Sequence, residues 1–257
     1  MKVTARNPDG VEILFDEETH TYTIPKTGQQ LESVTTFIGG FFPKFDADAV
    51  APKCVGRPKY KGLTVEQIKA LWEKEGDRGR TEGTHTHFFA ECLGEGRLDE
   101  LPEPQSDRES KLFNQVAPAL LDLETRFVFI GSEIIVFSPY FGIAGTIDLL
   151  MYDPVVMDLI LLDWKQNKTI SIDNPWESGK PPLQKMEASE FNKYALQLNV
   201  YERIMKFEGY YKFPGFNRVR KALIHLREDN YQFIKLPDMQ STVNKMFAHA
   251  GKEEIPF

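Results

Sequence analysis

Residues 142–165 read GIAGTIDLLMYDPVVMDLILLDWK, two apolar runs on either side of a turn. The runs 142–151 and 159–165 are rich in aliphatic and β-branched residues, and Asp153-Pro154 between them is typical of a turn, so the stretch predicts two strands. A third run of the same character, residues 133–137, comes just before them. We expect the three to form an antiparallel meander at the centre of a sheet.

Charged side chains interrupt these apolar runs at three positions. Asp148 lies inside the first run, and Asp163 and Lys165 end the second. Residues two apart on a strand face the same side, so Asp163 and Lys165 should project together, with Trp164 on the opposite face. Such charges are costly unless they are paired or bound to metal, and a divalent cation removes the repulsion between two carboxylates.

Metal-assisted phosphodiester hydrolysis needs these same parts: a divalent cation, a charge clamp on the phosphate and a cation near the attacking water. If the two strands are adjacent, Asp148 can lie beside Asp163, and Lys165 can orient or help deprotonate the water. Taken singly the residues are less specific. An Asp-x-Lys pair also fits an ion pair at a strand end, and Asp148 alone could cap a turn.

Predicted elements on both sides of the meander complete the domain. Those before it are a hairpin (11–15 with 19–24), a strand or helix start (33–38), and helices over 64–75, over 82–93 and from Ser106. Gly76 should end the first helix, and Pro118 should kink or divide the third. Those after it are a helix over 188–207, a strand pair (218–227 with 231–236) and a last helix to Ala248, capped by Asp238.

The order of the central elements is helix, three strands, helix, strand. This order predicts a single α/β domain with a central mixed sheet flanked by helices. Of the 257 residues, we assign 1–80 to an N-terminal hairpin and helical extension, 81–236 to the core and 237–257 to a C-terminal helix and tail.

Three motifs carry a resemblance to a known family. Asp148 followed by Asp163-Trp164-Lys165 resembles the signature of the PD-(D/E)XK nuclease superfamily. Gly83-Thr84-His85-Thr86-His87 resembles the helical Gly-Thr-x-x-His motif of its RecB-like exonuclease branch, and Gln197-Leu198-Asn199-Val200-Tyr201 resembles the Gln-x-x-x-Tyr motif of that branch. The hairpin and Ser33-Val34-Thr35-Thr36 are similar, less specifically, to phage-type and mitochondrial-genome-maintenance-type exonucleases. The resemblance implies a restriction-endonuclease-like core in αβββαβ order.

The resemblance also implies roles for the matching positions. The implied metal ligands are His87, Asp148, Asp163 and the backbone carbonyl of Trp164. Lys165 would position or activate the attacking water. Gln197 and Tyr201, four residues apart on one helical face, would steady Lys165 and contact the substrate backbone.

Ordinary roles for some of these residues stay open. His87 could be a hydrogen-bonded helix histidine, and Gln197 and Tyr201 could form the polar margin of an amphipathic helix. Glu91, one turn beyond His87, could be a ligand, support a ligand, or face solvent. His85 points elsewhere on the helix and receives no role.

The cofactor expected from carboxylate oxygens is Mg²⁺ or Mn²⁺, and an imidazole ligand favours Mn²⁺. The two cysteines, Cys54 and Cys92, cannot supply the four ligands of an iron–sulfur cluster. No phosphate-binding loop of the GxxxxGK[ST] type is present, which argues against an ATP-driven motor.

The expected partner is DNA, single-stranded or with free ends. The net charge of −7 argues against non-specific nucleic-acid binding unless basic residues are concentrated locally. Two basic clusters could do this, or could be solvated surface: Lys53, Arg57, Lys59 and Lys61, and then Arg78 and Arg80. Nearby aromatic residues could stack on bases or pack in the core: Phe41, Phe42, Tyr60 and Trp72.

The sequence therefore predicts a metal-dependent DNA exonuclease of replication, recombination or repair. Without an apolar leader or a membrane-spanning run, we expect it in the cytoplasm, encoded by a bacterium or a phage. One alternative is a nucleic-acid-binding module that has lost catalysis on the same fold. Another is a zinc-dependent hydrolase, although His20, His225 and His249 are isolated in the sequence.

Overall fold

The computed structural model describes residues 2–210 and 216–252. The strands in these residues are β1 (Lys2–Arg6), β2 (Glu12–Asp16), β3 (Thr21–Ile24), β4 (Gln29–Ser33), β5 (Val128–Ser138), β6 (Ile143–Asp153), β7 (Asp158–Lys165), β8 (Val219–Leu226) and β9 (Tyr231–Lys235). The α-helices are α1 (Val34–Gly40), α2 (Ala47–Val50), α3 (Val65–Gly94), α4 (Asp107–Glu124), α5 (Glu190–Phe207) and α6 (Gln240–His249). Three short 3₁₀ helices are Ala51–Cys54, Pro58–Tyr60 and Leu98–Glu100.

The chain has an α/β fold in which helices flank one large mixed sheet. The strand order is β1-β2-β3-β4-β6-β7-β8-β9, and β5 pairs with the remaining edge of β6. The β4–β6 and β7–β8 pairs are parallel, and the other pairs are antiparallel. The predicted meander is confirmed, because β5–β6 and β6–β7 are antiparallel neighbours.

Both faces of the central strands are covered, as their nearly continuous apolar sequence predicts. On one face, Leu159 and Leu161 of β7 pack in a cluster with residues of α1, α5 and α6. On the other face, Ile160, Leu162 and Trp164 pack in a cluster with residues of α3 and α4. Side chains of β7 therefore alternate between the two layers, which fixes the face on which each polar residue at its end must project.

A gap in the sheet lies along one edge of β6. The short strand β4 pairs with its first residues, Ile143 and Ala144, and β7 pairs with its last residues, from Leu149 onward. Between them, residues 145–147 pair with β5 but with neither of the other two strands in the described ladders. The sheet therefore forks here, and the fork leaves room for side chains where backbone ladders would otherwise run.

The helical predictions need two corrections. Residues 64–75 and 82–93 do not form separate helices; Gly76 lies inside the continuous helix α3. One glycine costs a helix interior only about 1 kcal/mol, which the packing of α3 on α4 and the sheet can offset. Likewise, Pro118 does not divide α4, whose buried residues continue on both sides of it. Because α3 crosses residue 80, the predicted boundary between extension and core falls inside this helix.

Other local predictions hold or are refined. The hairpin of β2 and β3 and the pair of β8 and β9 are confirmed, as is the capping box of Thr64 with Gln67. Residues 33–38 are resolved as a helix start, with Ser33 as the N-cap of α1. Asp238 accepts a hydrogen bond from the Gln240 backbone, although the N-cap position of α6 is Met239.

Two strands were missed, β1 and β4. β1 pairs with the nearby β2, and β4 pairs with both β3 and the distant β6, so neither strand is evident from its own composition. The end of the expected C-terminal tail, residues 253–257, lies outside the described residues. Within those residues, no helix has the length and apolar character required to cross a bilayer.

Candidate functional site

Asp148 lies where β6 and β7 separate. The last ladder pair is Leu149 with Leu162, and beyond it the backbone N–H of Trp164 donates to Asp148 Oδ2 at 2.8 Å. The carboxylate thus takes the place of the carbonyl that a continued ladder would provide. Asp148 is only 8 % exposed, and this burial, together with the negative charge of Glu133, raises its pKa.

Asp163 lies beside this fork on the face covered by α5. It is 2 % exposed, and its Oδ1 accepts a hydrogen bond of 3.1 Å from Gln197 Nε2. Its Oδ2 is ion-paired with the Lys165 ammonium. Burial, followed by the charge of Asp148, raises the pKa of Asp163 to about 6. The two aspartates therefore interact electrostatically, as the sequence predicts for neighbouring strands.

Lys165 projects on the same side of β7 as Asp163. Its Nζ also lies over the ring of Tyr194, 4.8 Å from the centroid. Burial lowers the pKa of this amine, but the charges of Asp163 and Asp148 outweigh that effect, and its pKa is raised. Lys165 is therefore a fixed ammonium at neutral pH, suited to attracting an anion, and a poor candidate for a general base.

His87 reaches the fork from α3. Its Nδ1 lies 3.4 Å from Asp148 Oδ2 and 3.8 Å from Glu133 Oε1, and its Nε2 lies 3.1 Å from the Trp164 carbonyl oxygen. Burial lowers the pKa of the imidazole, but the charges of Asp148 and Glu133 outweigh it and raise the pKa to about 9. The ring is thus held between a backbone carbonyl and two carboxylates.

Gly83, one turn before His87, faces the Gln166 side chain of the segment after β7. A Cβ at Gly83 would lie 2.7 Å from Gln166 Nε2. The Arg108 guanidinium binds the Gln166 carbonyl at 2.7 Å and is ion-paired with Glu82 of α3. These contacts hold α3 against the C-terminal end of β7, on the side of α3 from which His87 projects.

Gln197 and Tyr201 occupy one face of α5, as their spacing predicts, but their contacts differ from the implied roles. Gln197 Nε2 donates to Asp163 and to Tyr201 Oη at 3.1 Å each, and so steadies Asp163 instead of Lys165. Tyr201 is only 4 % exposed, and its ring packs on Gly145, so it supports the site from within the core. Contact between Tyr201 and the substrate backbone is not favoured by this burial.

Two residues near the site had no predicted role. Tyr194, three positions before Gln197 on α5, underlies Lys165. Glu133 lies next to His87 and Asp148, and donor atoms of these three residues are within 4.8 Å of one another. The sequence contains a signal for Glu133: counting outward from the Ser138–Ile143 pair at the turn places it opposite Asp148 in the β5–β6 hairpin.

Other candidates lie away from the fork. His85 contacts Glu109 and Gln105, which agrees with its receiving no role. Glu91 is ion-paired with Arg97. None of its contacts among the described residues favours a role as a metal ligand or as a support for one.

The candidate aromatic and basic residues of the N-terminal region are mostly engaged in packing or ion pairs. Phe41 and Phe42 are buried in the main core, which leaves them unable to stack on bases. Tyr60 and Trp72 bind each other through a hydrogen bond of 2.9 Å. Among the basic residues, Lys59, Arg78 and Arg80 are ion-paired with Glu75, Glu82 and Asp77, respectively.

The site opens into a pocket of about 280 Å³ whose lining includes His87, Lys165 and Gln197. A second pocket of about 670 Å³ shares Thr35, Tyr194 and Gln197 with the first and extends along α1, where Lys44 and Lys193 line it. The two pockets together form a groove, defined by these residues, that leads from the surface between α1 and α5 to the fork.

The residues at the fork fit a divalent cation. Two neighbouring ligands at about 2.1 Å from an octahedral ion are about 3 Å apart, and opposite ligands are about 4.2 Å apart. The separations of His87 Nδ1 from the Asp148 and Glu133 carboxylates, 3.4 and 3.8 Å, lie within this range. Buried carboxylates with raised pKa values also gain most from a bound cation.

Comparison with known proteins assigns no family: no family model matches the chain, and neither does any curated protein. The geometry and chemistry of the fork are therefore the basis on which a function can be argued.

Proposed function

We propose that the chain is a metal-dependent nuclease of the PD-(D/E)XK superfamily that hydrolyses phosphodiester bonds in DNA during replication, recombination or repair. The observation that carries this proposal is the meeting of Asp148, Asp163 and Lys165 at the β6–β7 fork, with His87 against it. The order of α4, β5, β6, β7, α5 and β8 supports a restriction-endonuclease-like core in αβββαβ order.

The proposed cofactor is Mg²⁺ or Mn²⁺. The residues that would hold it at the fork are His87, Asp148, Asp163 and the Trp164 carbonyl. When bound, the cation would lower the pKa of water and offset the charge that develops on the phosphate. The mixed imidazole and carboxylate donors favour Mn²⁺ at least as much as Mg²⁺.

The protein's own groups would hold the substrate and the attacking water in place. Lys165, fixed as an ammonium by Asp163, would bind a phosphate oxygen or orient the water, and its charge would act more strongly in this buried setting than in water. Gln197 holds the Asp163 carboxylate, and Tyr194 limits the positions open to the Lys165 side chain. Such preorganisation reduces the reorientation needed at the moment of reaction.

The groove supports a DNA strand as substrate. Lys44 and Lys193 line its outer part together with Glu32, and Lys165 lines its inner end, so lysines outnumber acids in the lining along which a phosphodiester backbone would enter. This local arrangement supports DNA binding despite the overall negative charge, since binding depends on the potential at the groove. We propose an exonuclease that takes a single-stranded or free end into the groove.

Timed digestion of end-labelled linear and circular DNA, single-stranded and duplex, tests the proposal. With Mn²⁺ or Mg²⁺ we expect cleavage of linear DNA, and Lys165→Ala should lose about 10²–10³-fold in rate while retaining DNA binding. Lys235→Ala, an exposed lysine of β9 far along the sheet order, serves as the matched control and should cleave normally.

Two other outcomes of the digestion would change the proposal. Cleavage of circular DNA would replace exonuclease with endonuclease action. DNA binding without any cleavage by the unmodified protein would indicate the inactive binding module instead.

A further inference from the structure

We infer that Glu133 is a ligand of the cation at the fork, together with Nδ1 of His87 and the carboxylate of Asp148, and that the Trp164 carbonyl orients His87 instead of binding the ion. This inference rests on the proposed nuclease site and revises its ligand set: Glu133 of β5 takes the place of the Trp164 carbonyl, and Asp163 is left to pair with Lys165. The ligand class is a divalent cation that accepts one imidazole and two carboxylates, which suits Mn²⁺.

The positions of the donor atoms are the first support. His87 Nδ1 faces both carboxylates, at 3.4 Å from Asp148 Oδ2 and 3.8 Å from Glu133 Oε1. All three donor atoms lie within 4.8 Å of one another. The two separations from His87 Nδ1 fit ligands of one octahedral ion, for which about 3–4.2 Å is expected. Asp163, in contrast, already has a positive partner in Lys165.

The sheet register explains how a residue of β5 comes to this place. Ser132 pairs with Leu149 and Ile134 pairs with Ile147, so Glu133 lies across the ladder from Asp148. Opposite residues of antiparallel strands bring their side chains close together. Two carboxylates so placed repel each other, and a cation between them removes that repulsion.

The backbone of Glu133 is a second, independent feature. Its φ is +46°, in the left-handed region that glycine, asparagine and aspartate adopt more readily than glutamate. Residues held in such conformations are concentrated at functional sites, where the surrounding structure maintains them.

The second ring nitrogen of His87 decides which side binds the ion. Nε2 lies 3.1 Å from the Trp164 carbonyl oxygen, which can accept a hydrogen bond but cannot donate one. An N–H at Nε2 therefore leaves Nδ1 as the nitrogen that faces Glu133 and Asp148, and an ion that displaces its proton would bind there. Histidine ligands of metals commonly donate their other N–H to a backbone carbonyl in this way.

Calorimetric titration of Mn²⁺ into the full chain tests the inference through binding alone. The variants are Glu133→Gln, which keeps the size of the side chain, and Glu133→Gly, which also relieves the positive φ and so should fold at least as well. Glu95→Gln is the matched control, because Glu95 has nearly the same exposure, 34 % against 32 %, but is ion-paired with Arg97.

We expect both Glu133 variants to bind Mn²⁺ at least about 10-fold more weakly than the unmodified protein, and Glu95→Gln to bind it equally well. Unchanged affinity in both Glu133 variants would overturn the inference and leave the proposed function standing. Absence of Mn²⁺ binding by the unmodified protein would overturn both.

Long-range ¹H–¹⁵N correlation spectra of His87 test the choice of nitrogen. On addition of Mg²⁺ we expect the Nδ1 resonance to shift while Nε2 keeps its proton. Loss of the Nε2 proton with a shift of that nitrogen would show that the ion binds on the Trp164 side.

Discussion

Gly145 connects the packing of the core to the candidate site, and replacing it with alanine should damage both. A Cβ at this position would lie 2.6 Å from Tyr201 Cε1 and 3.1 Å from Val34 Cγ2. The Tyr201 ring is buried and cannot move freely away, and its hydroxyl accepts the hydrogen bond from Gln197, which in turn holds Asp163. A displaced ring would therefore be transmitted to the Asp163 carboxylate through two hydrogen-bonded contacts.

The magnitude follows from the cost of overpacking a core, about 1–3 kcal/mol. For a domain of this size, roughly 2–4 °C of Tm corresponds to 1 kcal/mol, so Gly145→Ala should lower Tm by roughly 2–12 °C. Gly79→Ala is the control. A Cβ there meets no atom within 4 Å, and alanine in a helix is favoured over glycine by about 1 kcal/mol, so its Tm should rise by roughly 2–4 °C.

Differential scanning calorimetry measures these shifts, and DNA cleavage well below Tm measures the effect on the site. We expect Gly145→Ala to lose activity at temperatures where it is fully folded. The double variant with Tyr201→Leu should be less destabilised than the sum of the two single variants, because the smaller side chain removes the clash. Strict additivity, or an unchanged Tm in Gly145→Ala, would refute the packing of Tyr201 on β6.

Three further predictions concern single contacts. Tyr201→Phe removes the acceptor for Gln197 and should cost about 0.5–1.5 kcal/mol by urea unfolding, with a larger proportional loss of cleavage than of stability. Mn²⁺ at about 100 times its Kd should stabilise the protein by about 2.7 kcal/mol, seen as a rise in Tm that EDTA reverses and that Asp148→Asn abolishes; a rise of equal size in that variant would contradict the ligand assignment. Burial raises the pKa of Glu208, so its favourable contribution is present at low pH and is lost as the pH rises through that pKa. Relative to wild type, Glu208→Gln should therefore gain stability as the pH rises above about 4.5, the ordinary pKa of a glutamate, and a loss over that range would contradict the sign.

The centre of the fold could be predicted because its information is local. Each strand of the meander has its own apolar run and its own turn signal, and neighbouring hairpins need no distant partner. The placement of Asp163 and Lys165 on one face followed from the two-residue period of a strand, and the structure has both in contact. The face of α5 that carries Gln197 was likewise readable from helical spacing.

What could not be predicted depends on contacts between segments far apart in sequence. The strand β4 pairs with the adjacent β3 and, in parallel, with the start of β6 more than 100 residues later, and nothing in residues 29–33 indicates that second partner. The continuity of α3 past Gly76 similarly depends on tertiary packing, which overrides the weak local preference of glycine to end a helix. Local patterns set the elements, and long-range packing set their ends.

The residues of the candidate site also differ in whether local sequence or long-range contacts determine their position. Charges embedded in apolar strands announced Asp148 and Asp163, because a buried charge always requires a partner. Glu133 is not embedded in its predicted run but begins it, where an acid is ordinary, so its signal is the weaker one of its position opposite Asp148 in the hairpin. Its nearness to His87 arises only when the hairpin register, the left-handed φ and the approach of α3 coincide. A residue whose position depends on several such features together cannot be placed from the sequence alone. At this fork, that residue decides how many carboxylates can bind a cation.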